Sequence, residues 1–173
     1  MNHQELSAAR SRTDAKLRYA AVHLDELRRI ERRGDEFERA HQESFLFHLH
    51  GTRDAFLQEL NVYYGFGLPL NEVKRWKIEK TLKDTGKTSR ALDHLVNIES
   101  DPDNWINCAK EMRDHSTHRH SVPRLSHVGG ERHGEVFLLD TRSGKPVEKD
   151  YLKLFETWLV SMTELISELR KLV

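Results

Sequence analysis

A chain of 173 residues suits one domain and is long enough to bury a core without cross-links. Its 28 basic residues balance 28 acidic ones, so no global field draws it to nucleic acid or to a membrane, and any polyanion site has to arise from local clustering. With 37% hydrophobic and 32% charged residues it is not depleted of apolar side chains as a disordered chain is. The single cysteine, Cys108, excludes an intrachain disulfide and fits a reducing compartment. The polar start, Met1 to Glu5, lacks the apolar stretch of a secretory signal, and no run approaches the roughly 18 apolar residues that cross a bilayer. The expectation is a cytoplasmic protein with no membrane partner.

The pattern reads as one all-α domain over 1–173, an antiparallel bundle of five to six helices, with residues 1–10 expected to be disordered. The first helix is expected at about 11–33, where Leu17, Ala20, Ala21, Leu24, Leu27 and Ile30 recur at intervals of three and four. Gly34 stands where a helix C-cap favours glycine, and Asp35 can cap the next helix. That second helix spans about 36–64 on a stripe of Phe45, Leu49, Phe56, Leu60 and Tyr63, with a bend expected at Gly51-Thr52. Gly65-Phe66-Gly67-Leu68-Pro69 ends it. Beside those glycines, Tyr63, Tyr64 and Phe66 read either as loop anchors or as a partner surface.

A third helix fits about 71–83, with Trp76 as its expected apolar anchor, and a fourth about 88–98, with Ala91, Leu92, Leu95 and Ile98 on one side. Asp101-Pro102 opens a fifth, which carries Trp105, Ile106, Ala109 and Met112 and runs to about His118 or His120. Cys108 on that helix reads as a buried apolar thiol. Residues 121–148 form an insertion in which a small β-hairpin or extended loop is expected at about 134–147, around Glu135 to Asp140 and the Ser143-Gly144-Lys145-Pro146 turn. The last helix, about 149–172, has the clearest stripe: Leu152, Phe155, Leu159, Met162, Ile166 and Leu169, widened by Trp158 and Leu165.

The local cluster lies at the end of the fifth helix. Of 11 histidines, His115, His118, His120, His127 and His133 fall in one short stretch with Arg113, Arg119, Arg124 and Arg132, against only Asp114 and Glu131. Arginine offers a bidentate fork to phosphate oxygens, and histidine a group that titrates near neutrality. Arg113 and His118 are five positions apart, about 140° around an ideal helix, so they meet only if the Arg113 side chain curls or the helix end tightens. Asp114 can orient either one.

Arg113-Asp114-His115-Ser116-Thr117-His118 resembles the signature of the HEPN superfamily: an arginine, a polar residue, three variable residues and a histidine. That family consists of small helical bundles with the motif in the later part of the fold. The resemblance implies a metal-independent endoribonuclease that needs no cofactor. It implies a toxin–antitoxin or phage-defence setting, with RNA as substrate, an antitoxin protein as partner and a homodimer whose two motifs share one cleft. Carried over, His118 acts as general base or acid at the ribose 2′-OH or the leaving group, Arg113 stabilises charge on phosphate and Asp114 positions them. His115, Arg119, His120 and Arg124 are the expected substrate-binding residues.

Two other readings stand beside it. One is a non-catalytic interaction protein. The other is a histidine-rich metal site drawing on His115, His118, His120 and His127, although no cysteine pair or His-Glu-x-x-His spacing accompanies them. Lys83-Asp84-Thr85-Gly86-Lys87-Thr88 lacks the earlier glycine of a phosphate-binding loop, and no serine-hydrolase elbow is present.

Overall fold

The computed structural model describes residues 3–31, 35–118, 124–126, 129–130, 136–140, 144–147 and 150–173, with the backbone alone at 117, 118, 126 and 136. The helices are α1 (His3–Arg29), α2 (Glu36–Tyr63), α3 (Arg75–Asp84), α4 (Arg90–Ser100), α5 (Trp105–His118) and α6 (Tyr151–Lys171). A 3₁₀ turn, Leu70–Glu72, precedes α3, and two short strands, β1 (Arg124–Ser126) and β2 (Val136–Leu138), precede α6. The chain is thus an all-α bundle with a small antiparallel sheet. No described helix is long and apolar enough to cross a membrane.

The direction of each long helix follows from its cross-links. His23 meets His41 and Lys16 meets His48, so α1 and α2 run antiparallel. Arg28 pairs with Glu156 and Asp14 with Arg170, so α6 is antiparallel to α1 and runs with α2. The core fills the space between them. Phe45 and Phe155, both fully buried, stack with centroids 4.4 Å apart, and Trp158 stacks on Phe155 at 5.7 Å.

Local chemistry sets the ends. The Asp35 carboxylate accepts the Glu38 amide at 2.7 Å and caps α2. Ser89 caps α4 through the Leu92 amide, and Asp150 caps α6 through the Leu152 amide. Asn104 accepts the Ile106 amide where α5 begins, while Asp101 accepts the Asp103 amide and shapes the preceding turn.

Several expectations change. Residues 3–10 are helical, because Leu6 and Ala9 continue the buried stripe of Thr13, Ala20, Leu24 and Leu27. Helix α2 is continuous through Gly51 and Thr52, where the Thr52 hydroxyl donates to the His48 carbonyl. Trp76 does not anchor α3, since Ile78 and Leu82 are buried while Trp76 is 61% exposed. Cys108 is half-buried rather than buried. The expected hairpin region does turn back on itself, with the Val147 N–H donating to the Leu138 carbonyl, the Asp140 N–H to the Lys145 carbonyl and a bridge between Leu139 and Pro146, while strand β2 also pairs with β1, Arg124 standing opposite Leu138. Tyr64 and Phe66 anchor the loop after α2, while Tyr63, the last residue of the helix, meets Tyr64 edge-on. Tyr64 stacks on Phe66, donates to the Thr88 carbonyl and packs with Phe66 against the core.

The sheet is fixed to the bundle by a buried charge. Glu38 on α2 is fully buried and receives Arg124 from β1 at 2.9 Å and the Tyr151 hydroxyl from α6. The other arm of the Arg124 fork binds the buried Gln42 side chain.

Candidate functional site

Arg113 lies on the last turns of α5, and its side chain turns toward α2. Nε donates to Asp114 Oδ1 at 2.9 Å, Nη2 donates to the same oxygen, and Nη1 contacts His50 Nδ1 at 3.1 Å. A guanidinium has no acceptor, so the His50 ring nitrogen must accept, which places its proton on Nε2. The Asp54 carboxylate stands 3.7 Å from the same Nδ1. One lone pair serves one partner, and in this geometry Nδ1 takes the Arg113 hydrogen. Burial raises the Asp54 carboxyl, whereas a protonated His50 and the Arg53 guanidinium, which donates to it at 3.0 Å, lower it.

Two adjoining clefts open around this centre. The first, of about 300 Å³, lies between α1, α2 and the turn before α3, with Arg12, Lys16, Lys74 and Arg113 in its lining against one carboxylate, Asp54. Phe47 forms part of its wall. The second, of about 370 Å³, lies at the start of α3, with Arg53, Lys74, Arg75 and Lys110 against one carboxylate, Glu99. His50 and Trp76 complete its rim, and Lys74 belongs to both clefts. A chain with no net charge therefore concentrates cations on one face.

Glu99 is engaged from two sides. Arg53 holds it through two hydrogen bonds, of 2.7 and 3.0 Å, and Arg75 approaches to 3.5 Å. These pairs tie α2, α3 and α4 together beneath the second cleft.

The expected site residues separate. Arg113 and Asp114 are joined, and His115 is half-buried on the same helix. His118 is the final residue of α5, and its side chain lies outside the described residues, as do Arg119, His120 and His127. Arg124 faces inward, its side chain 8% exposed, and its fork is taken by Glu38 and Gln42. Burial lowers the pKa of its guanidinium, opposed by Glu38. A fork so occupied offers nothing to a polyanion, which corrects its expected role in substrate binding. Among the described residues no group of His, Cys, Asp or Glu side chains has the arrangement of a metal site.

Sequence reasoning missed His50, Lys16, Lys74 and Trp76. None stands near Arg113 in the chain; His50 is 63 residues away. The one hint was an aromatic residue, Trp76, among Lys74, Arg75 and Lys77.

The model of a family of unknown function, DUF6586, matches residues 7–173. The chain belongs to that family. No curated protein and no solved structure matches it. The DUF6586 match runs from the first turns of α1 past the end of α6, so both clefts and the Arg113–His50 contact fall within the family's unit.

Proposed function

We propose that this protein is a HEPN-like, metal-independent endoribonuclease of the toxin–antitoxin or phage-defence type. The observation that carries the reading is the Arg113 guanidinium, a quarter exposed, held between Asp114 and His50 at the wall of a cleft rich in cations. A fixed guanidinium in such a cleft suits a phosphate whose charge rises in the transition state. His118, on the same helix, supplies the proton transfer, and Asp114 and His50 hold the arginine in place. A homodimer brings two such helix ends to one cleft, an antitoxin protein restrains the activity, and the setting is cytoplasmic.

Incubation of the purified protein with mixed RNA tests the reading. Cleavage leaving 2′,3′-cyclic phosphate ends, resistant to chelators and abolished in His118→Ala, is the expected result. Intact RNA with the folded wild-type protein, alone and with its antitoxin removed, would overturn it.

A non-catalytic interaction protein is the second reading. It draws on Tyr19, Val22, Phe37 and Phe47, apolar side chains of α1 and α2 that are each more than half exposed. Capture of a defined protein partner equally by wild type and Arg113→Ala, with no RNA cleavage, favours it.

A further inference from the structure

The second cleft carries a feature that phosphate chemistry alone does not require. Trp76 leaves 61% of its surface in water at the rim of a cavity where four cations outnumber the one carboxylate, Glu99. Burying a large apolar side chain stabilises a fold, and Trp76 forgoes much of that gain. A lone exposed aromatic is ordinary on a protein surface. Here the ring is the residue between Arg75 and Lys77, and the Lys77 ammonium lies 5.6 Å from its centroid. Lys74 and Lys110, both exposed, face the same cavity from the start of α3 and from α5. Lys74 is the N-cap of α3, and its ammonium, which only donates, leaves the first-turn amides without a side-chain acceptor from the cap.

We infer that the cleft at the start of α3 is a subsite for one unpaired nucleotide, its base stacked on Trp76 and its phosphate held by Lys74, Arg75 and Lys110. The inference rests on RNA as the ligand of the proposed function, though not on cleavage. A planar ring among flexible cations suits single-stranded nucleic acid, because every base has a π-face and every nucleotide a phosphate. A duplex keeps its bases stacked on one another and has none to offer Trp76. Lys74 belongs to both clefts, so a strand lying over Trp76 continues toward Arg113, Lys16 and the exposed Phe47. An acidic peptide would satisfy the cations and leave the ring without a partner of matching shape.

The full chain carries its own reporter. Trp158 is buried and Trp105 half-buried, so Trp76 is the tryptophan that a stacked base quenches. The protein is titrated with a 2′-O-methyl oligouridine of about 12 nucleotides, a length within ordinary single-strand site sizes. That strand has no free 2′-OH to react. A duplex of equal length and polyglutamate of equal charge form the parallel arms. Expected are fluorescence quenching by the single strand, weak quenching by the duplex, and an affinity that falls as salt rises. Trp76→Ala loses about tenfold or more in affinity, read by anisotropy of the labelled strand, and Trp76→Phe restores most of it. Equal binding by Trp76→Ala and wild type, or equal affinity for duplex or polyglutamate, overturns the inference. Tight, Trp76-dependent binding without RNA cleavage would retire the ribonuclease reading alone. Cleavage with Trp76-independent binding would retire the subsite alone.

Discussion

His50 and Arg113, in the middle of α2 and near the end of α5, share one hydrogen bond of 3.1 Å across the bundle. His50 is largely buried, so this bond fixes where the guanidinium stands. Its partner on the other side, Asp114, holds two nitrogens of the same fork.

His50 is therefore a positioning residue. His50→Ala is expected to lower the rate of RNA cleavage about tenfold, and the double variant with Arg113→Ala should be no slower than Arg113→Ala alone, because the two act through one interaction. Arg113→Lys should not rescue, since an ammonium cannot reach Asp114, His50 and a phosphate with one planar fork. Additive losses in single-turnover rates would show that His50 acts elsewhere.

His118→Ala removes the proposed proton-transfer group. A loss of about 10²–10⁴-fold in cleavage with an unchanged melting curve is expected, in the range ordinary for general acid–base groups. RNA binding by the 2′-O-methyl strand should survive.

Stability should depend on pH through the seam between α1 and α2. His23 Nδ1 lies 3.0 Å from His41 Nδ1, and the His23 ring stacks on His48 at 5.5 Å. Burial lowers the pKa of His23, helped by His41 and opposed by Glu26. Burial lowers that of His48 too, helped by Lys16 and His23. The folded chain thus resists protonation more than the unfolded one. The contribution is fully present above the ordinary value of 6.5 and is lost as pH falls through the lowered folded values. Urea midpoints should drop between about pH 7.5 and pH 5.5, and the drop should shrink in a His23→Gln, His48→Gln double variant.

Removing the buried anion should be costly. Glu38→Ala leaves Arg124 charged in a dry site, with a loss of about 3–5 kcal/mol in denaturant unfolding. Replacing both with Met should recover part of it, since the pair as a whole bears its own desolvation penalty.

Gly51 offers a gain. It lies inside α2 with an unstrained backbone, and a methyl group there would meet the Lys16 side chain at 3.5 Å, an ordinary contact. Gly51→Ala should raise stability by about 0.5–1 kcal/mol, measured by thermal unfolding.

The bundle was legible because its stripes are periodic. Phe155, Met162, Ile166 and Leu169 recur at helical spacing on α6, and all are buried. The start of α1 was not, because Leu6 and Ala9 are isolated among polar residues and gain meaning only when α6 supplies Arg170 to Asp14 and to the Arg10 carbonyl. Trp76 misled because a large ring in an amphipathic stretch usually faces inward. Of the candidate site, the adjacent pair Arg113 and Asp114 was readable from six consecutive letters. His50 and Lys74 were not, because proximity across helices leaves no trace in spacing along one of them.

Glu99 has a consequence for ligand choice. It already sits among Arg53 and Arg75 like a counter-ion installed in advance, one that salt cannot wash out. A small monoanion arriving at the α3 cleft competes with a covalently attached rival at high local concentration and gains little. A long polyanion, engaging Lys74, Lys110 and the cations of the neighbouring cleft at once, does not depend on displacing it. On the proposed reading, the carboxylate that pairs α3 with α4 would disfavour single charges relative to strands.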